Sequence, residues 1–175
     1  MHIVADLLTT LRFLLSVVIL YVGLQEGPIA GIATASLLTI LAWITDVLDG
    51  PLARHASHHT RLGHLDLPAD LSLTLALTVC LVAWGIVPLS LVAGGILLTS
   101  VAMWVLHHRA PLQFTMGMIY GTFIFGAQRI SPAWGRALTG GVGLVVLLNP
   151  TRAWGKVTSF LRDVQGILGG RAAEE

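Results

Sequence analysis

The sequence predicts an all-α, polytopic membrane protein, with six transmembrane helices and a C-terminal amphipathic helix on the membrane surface. Three observations predict it. Of 175 residues, 55% are hydrophobic and only 11% are charged. Mean hydropathy is +0.82, a balance foreign to soluble domains of this size. The apolar residues also fall into successive runs separated by short turn-forming stretches. At about 20 residues per spanning helix, the chain holds six spans and leaves no room for a second folded domain. Residues 1–150 are therefore expected to form a six-helix transmembrane catalytic domain, and 151–175 a cytoplasmic amphipathic helix and tail.

The first helix is expected from about Asp6 to Leu24. Met1 to Asp6 lacks the basic segment of a secretory signal, so the run reads as a retained span. Gln25-Glu26-Gly27 makes a turn, and the second helix runs from about Pro28 to Leu48. A polar loop from Gly50 to His64 carries Arg54, Arg61 and four histidines, His55, His58, His59 and His64. The third helix covers about Leu65 to Trp84, until Gly85 to Pro88 breaks the pattern. The fourth ends near Leu106, before His107-His108-Arg109-Ala110-Pro111. The fifth and sixth are expected over about Gln113 to Ala127 and Ala133 to Leu148. Glycines blur their edges, as is common in membrane helices, where small residues permit close packing.

Past Pro150, apolar Trp154, Val157, Phe160, Leu161, Val164, Ile167 and Leu168 recur at helical spacing, with Lys156, Ser159, Arg162 and Asp163 opposite. That is the pattern of a helix lying in a membrane interface. Trp84, Trp104, Trp134 and Tyr21 stand near span ends, as an aromatic belt would place them. With both termini inside, the inner segments hold Arg54, Arg61, Arg109, Arg152, Lys156, Arg162 and Arg171, and only Arg129 and Arg136 fall outside. The positive-inside rule then puts the termini and the loop between helices 2 and 3 in the cytoplasm. Cys80 lies in an apolar run and reads as a small buried hydrophobe. No basic run suits nucleic acid.

The informative stretch is Asp46 to Asp70, where four of the nine acidic residues collect. Carboxylates at membrane depth are costly and mark function by default. Asp46 and Asp49 are three apart and share a helix face; Asp66 and Asp70 are four apart and share another. An antiparallel helix pair brings both to one depth. Pro68 is harmless in a first turn. Four converging carboxylates repel unless a cation joins them, and all-oxygen ligands suit Mg²⁺, Mn²⁺ or Ca²⁺ rather than zinc. Gly50 is expected to let the backbone turn out of helix 2, Ala53 keeps the same face open, and Arg54 can grip a phosphate. The local chemistry is metal plus phosphate.

This stretch resembles the signature of the CDP-alcohol phosphatidyltransferases, D-x₂-D-G-x₂-A-R followed by G-x₃-D-x₃-D. Asp46, Asp49, Gly50, Ala53, Arg54, Gly63, Asp66 and Asp70 take its eight positions. One departure is visible: two residues rather than three separate Gly63 from Asp66. Thr10 and Arg12 look like the family's opening. The resemblance implies an integral membrane enzyme of phospholipid biosynthesis that uses Mg²⁺ or Mn²⁺. It would transfer a substituted phosphate from a CDP-alcohol, such as CDP-diacylglycerol, to an acceptor alcohol and release CMP. It implies Asp46, Asp49, Asp66 and Asp70 as metal ligands, with Asp70 also the catalytic base. Gly50, Ala53, Arg54 and Gly63 would line the CDP site, and a homodimer is expected.

For a phosphorylated acceptor the basic candidates are Arg61 and Arg109, with His107 and His108. The loop histidines read as solvated. The competing reading is a small divalent-cation transporter or metal-binding membrane scaffold, since four acids also suit an ion path. Helices 2 and 3 are nearly bare of charge beyond one end, which disfavours it. A prenyltransferase with Asp-rich motifs is disfavoured by Gly50, Ala53 and Arg54 at their set offsets.

Overall fold

A computed structural model describes residues 2–54, 66–107 and 110–148, with 150, 155 and 158; side chains are described for 7–47, 67–107, 110–148 and those last three. The described residues form six helices and no strand: α1 (His2–Gln25), α2 (Pro28–Arg54), α3 (Asp66–Ala83), α4 (Leu89–Leu106), α5 (Ala110–Ile130) and α6 (Pro132–Leu148). Three of them contain segments long and apolar enough to cross a bilayer: Leu7–Gln25, Pro28–Val47 and Leu89–Leu106. Leu67–Ala83 and Pro132–Leu148 are shorter apolar helices. The amphipathic helix expected after Pro150 falls almost wholly outside the described residues.

The turns are set by local chemistry. Gly85 takes φ +69 at the end of α3, a conformation that costs glycine nothing, and Ile86 N–H then returns to the Leu81 carbonyl at 3.0 Å. α4 stops at His107, which adopts the left-handed region (φ 53, ψ 24) and donates its N–H to Met103. Pro132 opens α6, where its missing N–H has no helical partner to lose. One residue, Ser131, separates α5 from α6. So tight a hairpin needs Gly135, because a Cβ there would lie 2.6 Å from the backbone nitrogen of Gln128.

α1 packs most intimately, against both α2 and α3. Gly23 and Gly31 make room: a Cβ on the first would strike the Cys80 sulfur, and one on the second would meet the Trp84 indole at 2.6 Å. Small residues at such points let membrane helices approach closely. Trp84 thus wedges between helices, its indole donating to the Glu26 carbonyl at 3.2 Å, more than an interfacial belt residue would require. Cys80 is buried, as expected, and is a free thiol. Leu15, Ile19, Ile32, Leu73, Leu77 and Phe123 form the heart of the core. α5 and α6 close against α2, and α4 rests on α5 with no buried residue. Arg129 lies exposed, its guanidinium 5.0 Å from the Phe125 ring centre.

Several boundaries differ from the sequence reading. α1 begins at His2 rather than Asp6, and α5 at Ala110 rather than Gln113, with Pro111 in its first turn. The larger difference is in α2. It does not end at Leu48; it runs through Gly50 and Pro51 to Arg54, so Gly50 does not turn the chain out of the helix. Pro51 removes one hydrogen bond, to the Val47 carbonyl. Its ring would also crowd a preceding Cβ, and Gly50 has none.

Candidate active site at the facing ends of α2 and α3

Asp46 and Asp70 do converge. Both direct an Oδ1 at the same guanidinium nitrogen of Arg12, at 3.3 Å from Asp46 and 3.0 Å from Asp70. One buried cation on α1 therefore ties together acids from α2 and α3. The antiparallel run of α2 and α3 sets this depth, and the placement of Arg12 between them completes it. Arg12 is only 1% exposed, whereas the carboxylates are 27% and 36% exposed. A ligand can reach the acids but not the arginine.

The surrounding hydroxyls keep the turns in register. Ser16 Oγ donates to the Arg12 carbonyl at 2.8 Å and lies 3.0 Å from Ser72 Oγ across the α1–α3 contact. Ser72 and Thr74 bond back to the carbonyls of Ala69 and Asp70. Such back-bonds satisfy hydroxyls that find no water at this depth.

The remaining sequence-predicted residues stand as follows. Asp49, Gly50, Ala53 and Arg54 lie on the last turns of α2, and Asp66 opens α3; their side chains fall outside the described residues. Gly63, Arg61, His55, His58, His59 and His64, with His108 and Arg109, lie outside them altogether. His107 is the exposed cap of α4. Among the described residues no group of three possible metal ligands is present. Asp46 and Asp70 nevertheless suit a hard divalent cation: they are partly exposed, all-oxygen donors held on one centre.

Sequence reasoning noted Arg12 but assigned it no task. The available signal was its own cost, since a lone arginine inside an apolar span needs a named partner. The partners were 34 and 58 residues away. Tyr120 of α5 stands edge-on to Trp43 of α2, with ring centres 5.7 Å apart at 62°.

No curated protein and no solved structure matches the chain. A family model described as CDP-alcohol phosphatidyltransferase matches residues 2–162, a span that takes in Arg12, the eight-residue motif and all six helices. On that match the chain belongs to the CDP-alcohol phosphatidyltransferase family, as an integral membrane phosphotransferase that takes a phosphatidyl-type group from a CDP-alcohol.

Proposed function

We propose that the chain transfers the phosphatidyl group of a CDP-linked lipid, CDP-diacylglycerol or a close relative, to an acceptor alcohol at the cytoplasmic face, releasing CMP. The observation that carries this reading is the meeting of Asp46 and Asp70 on Arg12, within a motif whose eight positions are all filled. All six helices span the membrane in this reading, and the protein works as a homodimer.

Asp46, Asp49, Asp66 and Asp70 would hold Mg²⁺ or Mn²⁺, which supplies charge neutralisation to the pyrophosphate and to departing CMP. Gly50, Ala53, Arg54 and Gly63 bind the CDP moiety, Arg54 through its planar fork. Asp70 accepts the proton of the acceptor hydroxyl as its oxygen attacks the lipid-side phosphorus. The bond from that phosphorus to the CMP oxygen breaks, and CMP leaves with the electron pair. Arg12 keeps the two acids oriented throughout, so positioning is settled before the substrates arrive. Arg61 and Arg109 would meet a phosphorylated acceptor in this reading.

An apolar cleft between α2 and α6 supports a lipid donor. It is lined by Ile40, Trp43, Val47, Leu144, Val145 and Leu148, among others, and Val47 is the neighbour of Asp46. The transporter reading loses ground to Arg12, whose buried positive charge sits between α1, α2 and α3, where a cation path would have to run.

The purified protein should release CMP from CDP-diacylglycerol when given Mg²⁺ or Mn²⁺ and the right acceptor. Asp70→Asn should lower that rate by at least about 100-fold, in the range of general-base catalysis, with the thermal transition retained. Unchanged turnover in that variant would remove Asp70 from the chemistry, and metal uptake into sealed vesicles without CMP release would favour transport.

A further inference from the structure

The α5–α6 hairpin closes the end of the bundle opposite the acids, where Gly126 packs against Ile86 in the turn between α3 and α4. A Cβ on Gly135 would lie 2.5 Å from the Gln128 Cα, so the two helices touch there backbone to backbone. Arg129 and Arg136 are the next residues along each helix. With about 3.8 Å between neighbouring Cα atoms, their own Cα atoms stand no more than about 12 Å apart. Both side chains are exposed. Arg129 lies over the ring of Phe125, itself 58% exposed and so turned towards lipid.

These two charges have no protein anion. Among the described residues neither arginine is in an ion pair, and the sequence from 71 to 162 contains no Asp or Glu. Glu26, beside the turn between α1 and α2, accepts from Thr34 instead. In the orientation proposed above, the positive-inside rule disfavours cations at this end. Snorkelling accounts for one arginine reaching the interface, but not for two on one hairpin with no acid beside them. Lipid phosphates lie at that level, and a guanidinium meets a phosphate through two parallel N–H donors. Two cations so close favour a headgroup of net negative charge over a zwitterion, whose own ammonium they would repel.

We propose that Arg129 and Arg136 form a binding site for the headgroup of an anionic phospholipid, on the membrane face opposite the acids. Phe125 holds the Arg129 guanidinium through its ring face, and the one-residue turn fixes the spacing of the pair. The site rests on the reading in which α5 and α6 span the membrane, and needs no part of the transfer chemistry.

Titration of the full chain in mixed micelles with phosphatidylglycerol or phosphatidylcholine tests this, with bound lipid counted by native mass spectrometry. One phosphatidylglycerol site should weaken about 5-fold in Arg129→Gln and again in Arg136→Gln, the contribution of one basic residue near an anionic surface. The double variant should retain one phosphatidylglycerol fewer than the parent, with phosphatidylcholine binding within about two-fold. The Arg129→Lys/Arg136→Lys pair should keep the site, since charge carries it.

Unchanged phosphatidylglycerol binding in the double variant would overturn the proposal. Equal loss of both lipids would overturn it too, by showing that any lipid phosphate suffices. Should the glutamine variants lose their thermal transition, the lysine pair decides, and loss of the site there counts against the proposal. In sealed vesicles an impermeant maleimide should reach Ser131→Cys and Ser57→Cys from opposite sides. Labelling of both from one side would overturn the spanning reading and the proposal together. Opposite labelling with an indifferent double variant overturns the proposal alone.

Discussion

The apolar segments of α1 and α4 have the same mean hydropathy, 2.1, yet 28% of the first is buried and none of the second. The two helices are indistinguishable by greasiness and opposite in role. α1 lies between α2 and α3, carrying buried Thr9, Arg12 and Ser16. α4 exposes Leu91, Leu98, Val101 and Trp104 and touches the bundle mainly through α5, where Thr99 and Thr115 share a 2.6 Å hydrogen bond. In a soluble protein such a difference would be written in hydrophobicity. In a bilayer the lipid is as apolar as the core, so burial follows small residues and matched polar groups instead.

The sharpest way to break this contrast is Arg12→Met. The change leaves Asp46 and Asp70 sharing a site without their buried cation. Removing one partner of a fully buried pair costs about 3–5 kcal/mol; these acids are partly exposed, so roughly 2–3 kcal/mol is expected here. Thermal unfolding in detergent reads it, and CMP release should fall further than stability. Arg12→Lys should recover part of the stability, since an ammonium can donate to both acids but its flexible stem holds it less firmly where they meet. A fully stable Arg12→Met would mean that the α1–α2–α3 unit is held by packing alone.

Glycines sharpen the comparison at smaller scale. Gly135→Ala puts a methyl group against Gln128 backbone that has nowhere to go. It should destabilise by about 1–3 kcal/mol through overpacking, visible as a lower thermal midpoint. Gly94 on α4 has nothing within 4 Å of a Cβ. Gly94→Ala should be neutral or stabilise by up to about 1 kcal/mol, the helix-propensity gain alone. If it destabilises as much as Gly135→Ala, α4 has a partner that the isolated chain does not contain.

Much of this was readable in the sequence because membrane helices announce themselves by length and composition. The six elements, the turns at Gly27 and Gly85, and the burial of Cys80 follow from local pattern. So does the pairing of Asp46 with Asp70, because an eight-residue motif at fixed offsets leaves little freedom. Gly50 misled, since a glycine before a proline is the ordinary mark of a helix end, and here its missing Cβ instead lets the helix continue through Pro51.

What the sequence determined by itself is therefore the class of molecule and the place of its chemistry: an all-helical membrane protein with acids at facing helix ends. Its physical basis is local, in side-chain periodicity and the cost of charge in hydrocarbon. Only the tertiary structure decided what holds those acids. Arg12 reaches them from α1, across sequence separations that no periodicity spans. Hydropathy could not rank α1 against α4, because lipid and protein interior are the same solvent to an apolar side chain.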